Sequence, residues 1–152
     1  MISVIVPVPE SDEALAGLFA VLVPAAVEGL VRDVVVVGGD ASGATALLCE
    51  DAGARLVGGA ISDAAQTVRG DWLLLVAPEM RFVSRWREAL ADHIAGSTRP
   101  ALVLPPAESG WLAAFGRSQR AGLLIRKRDF GQPEGDLNRL RRRFGRGAVR
   151  LG

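Results

Sequence analysis

The sequence predicts an α/β domain with a mostly parallel sheet and helices on both faces. Three observations carry this reading. Val34-Val35-Val36-Val37 is a run of four β-branched residues, as expected of a strand buried on both sides, and it stops at Gly38-Gly39 before a helical pattern begins at Ala44. Ile2–Val6 and Trp72–Val76 are continuous apolar runs of the same kind. Between such runs lie short stretches with helical spacing and brief loops, so strand alternates with helix, and parallel neighbours need such crossovers.

In chain order, Ile2–Val6 is the first strand, ended by Pro7 and Pro9. Ser11 is a candidate cap for the next helix, and Asp12 and Glu13 suit the positive end of its dipole. Leu15, Leu18, Phe19 and Leu22 recur at helical spacing, and Pro24 is expected to end the helix. Ala25–Val31 reads as a connector, followed by the Val34–Val37 strand and a helix over 44–52, with Leu47 and Leu48 facing the core and Gly53 as its C-terminal cap. Arg55–Val57 is a short strand, Ile61–Val68 a short helix and Trp72–Val76 a fourth strand. Ser84 is expected to cap a helix with Trp86, Leu90 and Ile94 inward. Ala101–Leu104 and Gly122–Ile125 read as strands, Trp111–Phe115 as a short helical segment, Asp136–Phe144 as a basic amphipathic helix and Ala148–Leu151 as an edge strand.

The totals bound the function. A chain of 152 residues, 49% hydrophobic and 23% charged, suits one globular domain with one core. Its net charge of +1 hides an asymmetry: residues 1–116 carry 7 basic and 14 acidic side chains, and residues 117–152 carry 11 and 3. The single cysteine, Cys49, allows no internal disulfide and fits a reducing compartment. The longest uncharged run, Ala14–Val27, is too short for a membrane span and is broken by Pro24. No basic leader precedes an apolar stretch, so a cytoplasmic location is expected.

With the order fixed, several segments together resemble family 2 glycosyltransferases of the GT-A fold. Ile2-Ser3-Val4-Ile5-Val6-Pro7 is similar to that family's opening strand and proline. Val34–Val37 with its small-residue loop and Thr45 resembles the second strand and acidic loop, and Gly53-Ala54-Arg55-Leu56 the third strand. Arg69-Gly70-Asp71-Trp72-Leu73-Leu74-Leu75 is similar to the approach to the metal site, and Arg81 and Trp86 sit where many members carry the same residues. Asp129-Phe130 and Asp136–Arg141 are like the acceptor half.

The resemblance implies a nucleotide-binding half over residues 1–80 and a shortened acceptor half over 81–152. It also implies a nucleotide-sugar donor, a divalent cation (Mg or Mn) on an Asp-x-Asp after the fourth strand, and an acidic general base in the acceptor half. Carried over by position, the nucleotide would lie on Pro7, Gly38, Gly39, Asp40 and Glu79, the cation on Glu79, and Asp136 would take the proton. The pattern departs in two places. Gly38 and Gly39 occupy the acidic pair, and the Asp-x-Asp position reads Ala77-Pro78-Glu79. One carboxylate holds such a cation weakly, and losing it would cost several kcal/mol of leaving-group stabilisation, roughly a thousandfold in rate. Weak or atypical transfer is therefore one expectation, and a non-catalytic domain acting through a partner or a nucleotide is the other.

Each candidate has a plainer role beside it. Glu79 is either a metal or diphosphate ligand or an exposed loop carboxylate. Asp40 contacts a base or ribose, or caps the helix that follows. Asp136, with Glu134 as a competing match, is a base or a first-turn acid that suits the dipole. His93 reads as a packing histidine and Cys49 as a small buried helix residue. Residues 38, 40 and 43 are Gly, Asp and Gly, which spoils a dinucleotide fingerprint. The basic segment Arg139–Arg150 suits an anionic membrane surface or a solvated face on the acidic body, and scarce aromatics argue against nucleic acid. An exposed edge near Ala148 leaves room for a homodimer or protein partner.

Overall fold

The computed structural model describes residues 1–38, 43–107 and 116–152. Seven strands form one sheet: β1 (Ile2–Pro7), β2 (Val31–Val37), β3 (Arg55–Val57), β4 (Trp72–Leu75), β5 (Ala101–Val103), β6 (Gly122–Arg126) and β7 (Val149–Leu151), in the order β3-β2-β1-β4-β6-β5-β7. β1 pairs in parallel with β2 and β4, β2 with β3, and β5 with β7. β6 alone runs antiparallel to its neighbours β4 and β5. The carboxyl ends of the other six strands and the amino end of β6 therefore share one edge of the sheet, where ligands of open α/β sheets collect.

Side-chain alternation along the strands builds two apolar layers. On one face Val4, Val6, Val36 and Leu74 pack against α1 (Asp12–Val27), α2 (Gly43–Ala52) and α4 (Trp86–Gly96). On the other, Ile5, Val35, Leu73 and Leu75 pack against α3 (Ile61–Thr67), α5 (Lys127–Phe130) and α6 (Leu137–Phe144). Leu15, Leu18, Phe19 and Leu22 are all buried on α1, at about 2 kcal/mol each of transfer free energy. The expected α/β class, with helices on both faces, is the observed one. No helix of the described residues is long and apolar enough to cross a membrane.

Several local expectations need correction. α1 does not stop at Pro24: it runs to Val27, and Glu28 N–H donates to the Pro24 carbonyl at 3.0 Å. Pro24 removes one donor near the last turn, on an exposed face it shares with Ala20, where water can serve the carbonyl left over. Ser11 stands at the N-cap, but its side chain makes no capping bond. On α2, Leu48 packs against the core as expected, and Leu47 does not. Thr45 and Cys49 face inward, the Thr45 hydroxyl donates to the Asp12 carboxylate of α1, and Leu47 is left 62% exposed. Ser84 lies one residue before the N-cap of α4, which is Arg85. β2 begins at Val31, three residues early, and its polar Asp33 accepts from the Ser3 hydroxyl and pairs with Arg55 at 3.4 Å. The expected segment Trp111–Phe115 and a helix cap at Asp40 lie outside the described residues.

Candidate functional site

The ends of β1, β2 and β3 are tied together at the ligand edge. Pro7 is in register with Val37, Val8 N–H donates to the Val37 carbonyl at 2.8 Å, and Gly38 N–H donates to the Val57 carbonyl at 3.1 Å. Gly38 has φ +158°, and a Cβ there would stand 2.7 Å from Val8 Cγ2. The close approach of the β1 exit is what demands glycine at this position. Pro7 and Gly38 are thus brought together, both half-buried. Gly39 and Asp40 lie outside the described residues.

Next along the edge, Val76 N–H donates to the Ile5 carbonyl at 3.1 Å, and Met80 N–H closes a turn on Ala77 at 3.0 Å. Pro78 and Met80 are buried, which turns Glu79 out to the surface. Glu79 forms one wall of a cavity of about 460 Å³. Arg81 joins it from the same loop, Pro105 and Pro106 come from the exit of β5, Arg120 from the entry to β6, and Arg141 from α6. Among the described lining residues there is one carboxylate and three guanidinium groups. Pro7, Gly38 and Asp136 do not line this cavity.

Arg141 is the unusual member. It is half-buried, and its Nε and Nη1 are enclosed without a hydrogen-bond partner. Burial holds its pKa below the ordinary guanidinium value, and the charge of Asp136 pulls in the opposite direction. Its place follows from α6, where Leu137, Leu140, Arg141 and Phe144 share one stripe at i, i+3, i+4 and i+7. Leu137 and Leu140 are buried against the sheet, which carries the arginine in with them. That spacing was the available sequence signal: a charged residue on an apolar stripe.

Asp136 is the N-cap of α6, exposed, and its carboxylate accepts from Arg139 N–H at 2.9 Å. Glu134 is also exposed. His93 is buried away from the cavity, where Nε2 donates to the Arg99 carbonyl at 2.8 Å and the ring meets Trp72 edge-on at 5.8 Å. The Cys49 thiol is buried, and burial, together with the nearby Asp12 charge, pushes its pKa up. Among the described residues no group of three His, Cys, Asp or Glu could hold a metal ion.

No family model matches the sequence, and no curated protein matches it. Solved structures do match in shape. Glucosyl-3-phosphoglycerate synthase from Mycobacterium tuberculosis, in complex with Mn²⁺, UDP and glucosyl-3-phosphoglycerate, superposes with a TM-score of 0.68 at 14% identity, over 99% of this chain and 69% of that one. The fold is that of the GT-A transferases. Mannosyl-3-phosphoglycerate synthase from Rubrobacter xylanophilus gives 0.62 at 13% identity, over 86% of this chain and 54% of its own length. A nucleotidyl transferase from Methanothermobacter gives 0.55 at 20% identity, over 100% and 88%. This chain therefore spans little more than half to about two thirds of the two synthases it resembles.

Proposed function

We propose that this GT-A domain binds a nucleoside diphosphate-sugar and works as an atypical glycosyltransferase whose leaving group is neutralised by arginine. The observation that carries the reading is the Glu79 cavity at the ligand edge of the sheet, with Arg81, Arg120 and Arg141 around a single carboxylate. Two synthases of the same fold carry UDP or act on phosphoglycerate by their names, which supports the donor class. On this reading residues 1–80 hold the nucleotide. Pro7 and Gly38, with Gly39 and Asp40 of the following loop, would lie along the base and ribose. Residues 81–152 would hold the acceptor.

In such a transfer the acceptor oxygen bonds to the anomeric carbon, the bond from that carbon to the diphosphate breaks, and the acceptor hydroxyl gives up its proton. The departing diphosphate carries about two to three negative charges. A bound Mg²⁺ or Mn²⁺ would neutralise part of that charge. Such ions want several oxygen ligands, and the described residues of the cavity offer only Glu79. The donor set does not fit the ion. Arg81 and Arg141 fit the diphosphate better, because guanidinium groups bind phosphate oxygens through paired, charge-assisted hydrogen bonds. Asp136 remains the candidate base on position, with its carboxylate already engaged by the helix it caps.

A second reading is favoured by that engagement and by the lone carboxylate: a domain that binds nucleotide or a protein partner without transferring sugar. Calorimetric titration with UDP, GDP and CDP, each with Mn²⁺ and with EDTA, tests both. Micromolar binding of one nucleotide that EDTA leaves unchanged and Arg141→Gln weakens supports the arginine reading. Binding that needs Mn²⁺ and is lost in Glu79→Ala overturns the arginine role but keeps the donor class. No binding at millimolar concentration leaves only the partner-binding alternative.

A further inference from the structure

We propose that a second basin, which shares Gln119 and Arg141 with the Glu79 cavity, is a binding site for a small soluble phosphate-bearing anion. This inference stands apart from sugar transfer and from any nucleotide. The basin is a hollow of about 480 Å³ between α6 and the β5–β7 edge. Arg141, Arg142, Arg146 and Arg150 line it, with Ser118 and Asn138 as neutral hydrogen-bonding groups. None of its described lining residues is acidic.

Basic residues at a helix carboxyl end have an ordinary explanation, since they suit the dipole there. It covers Arg141 and Arg142 in the last turn of α6. It does not cover Arg146, which comes from the turn after the helix, or Arg150, which comes from β7. Arg150 is in register with Leu102, whose side chain packs in the layer that holds α6, so strand alternation sends Arg150 toward the helix. Three separate elements deliver like charges to one hollow. The ion pairs among the described residues involve Arg55, Arg87, Arg126 and Arg128 and none of these four. Asp136 acts on Arg141 alone, from outside the hollow; like charges gathered without ion-paired partners repel one another, and an anion relieves that repulsion.

The hollow is also held in shape. Gly145 N–H donates to the Arg141 carbonyl at 2.8 Å, and a Cβ on Gly145 would stand 2.3 Å from that oxygen. Gly147 has φ +73°, and its carbonyl accepts from Arg99 Nη2 at 2.6 Å. The turn that carries Arg146 is therefore fixed before any ligand arrives. Guanidinium groups bind paired oxygens, which chloride lacks, and a phosphate brings more charge to four arginines than one carboxylate does. The apolar side of α6 is already spent on the core through Leu137, Leu140 and Phe144, which leaves none to enter a bilayer. The concave shape and the missing apolar face favour a soluble phosphate over a lipid surface.

The test is a thermal-shift and calorimetric titration of the whole chain with inorganic phosphate and with glycerol 3-phosphate, against sodium chloride at matched ionic strength. Phosphate is expected to raise the melting temperature beyond chloride, with saturation. Arg146→Gln/Arg150→Gln is expected to weaken that binding about tenfold or more, the loss of charge-assisted contacts, while UDP or GDP binding at the Glu79 cavity stays unchanged. Arg146→Lys/Arg150→Lys keeps the charge and separates guanidinium geometry from net charge; an intermediate loss is expected. Equal shifts from phosphate and chloride, or native affinity in the double Gln variant, would overturn the proposal. So would binding to vesicles of one part phosphatidic acid in four of phosphatidylcholine without binding of either soluble phosphate.

Discussion

The carboxylate of Asp136 accepts the backbone N–H of Arg139 at 2.9 Å and so closes the first turn of α6. This bond separates two roles that one residue could hold. Asp136→Asn keeps a capping oxygen, and Asp136→Ala does not. Asp136→Ala is expected to lower stability by about 1 kcal/mol and Asp136→Asn by a few tenths. If Asp136 is also the base, Asp136→Asn is expected to abolish sugar transfer with the denaturation midpoint almost unmoved. Urea unfolding beside a transfer assay reads both.

Arg141 carries two enclosed N–H groups without acceptors. Replacing it with Met is expected to stabilise the unliganded fold by about 0.5–1 kcal/mol, a figure discounted for its partial exposure. The sign follows from the lowered pKa. Folding penalises the charged guanidinium, and the penalty lifts only as pH climbs toward the value of a free arginine. The gain is therefore expected to shrink only as pH rises through the lowered folded value. The same variant is expected to lose about tenfold or more in nucleoside diphosphate affinity. A midpoint that falls instead would show that Arg141 is satisfied in solution.

Gly70 is pressed against the start of β1. A Cβ there would meet Ser3 N at 2.6 Å, Ser3 Oγ at 2.7 Å and the Met1 carbonyl at 2.9 Å. These are mostly backbone atoms that cannot step aside. Gly70→Ala is expected to cost about 2–3 kcal/mol. Gly38→Ala meets only the side chain of Val8 and should cost about 1–2 kcal/mol. Its larger effect is expected on nucleotide binding, because it shifts the joined exits of β1 and β2. Paired denaturation and calorimetry distinguish the two glycines.

Cys49 is expected to resist alkylation by iodoacetamide at pH 8, because its buried thiol is held protonated. Its stability contribution is complete below the ordinary thiol pKa of 9.0 and is lost as pH rises through the raised folded value. Labelling should thus follow unfolding in a denaturant series. Rapid labelling under native conditions would contradict the burial.

Much of the fold was legible because its signals are local. Val34–Val37 and Trp72–Leu75 announce buried strands through composition alone, and Gly53 marks a helix end with φ +69°. What escaped was decided by contacts between distant residues. Leu47 turns outward because Thr45 of the same helix reaches Asp12 of another. Pro24 stays inside α1 because Leu22 and Ala25 bury on either side of it while Pro24 faces water. Glu79 and Arg141 are far apart in sequence yet line one cavity, where β6 runs antiparallel beside β4. The resemblance placed Glu79 and Gly38 along one nucleotide; it gave no sign of the arginines that line the cavity with Glu79.

The position of β7 gives the molecule a timetable. Strands β1 to β4 pair among themselves, so that half of the sheet can assemble early as the chain leaves the ribosome. The Glu79 cavity lacks a wall until residue 141 has been made. β5 gains its outer partner only when Leu104 N–H finds the Leu151 carbonyl at 2.7 Å. The strands made first therefore have their partners long before the β5–β7 pair can form, and the last pairing of the sheet waits on the residues made last.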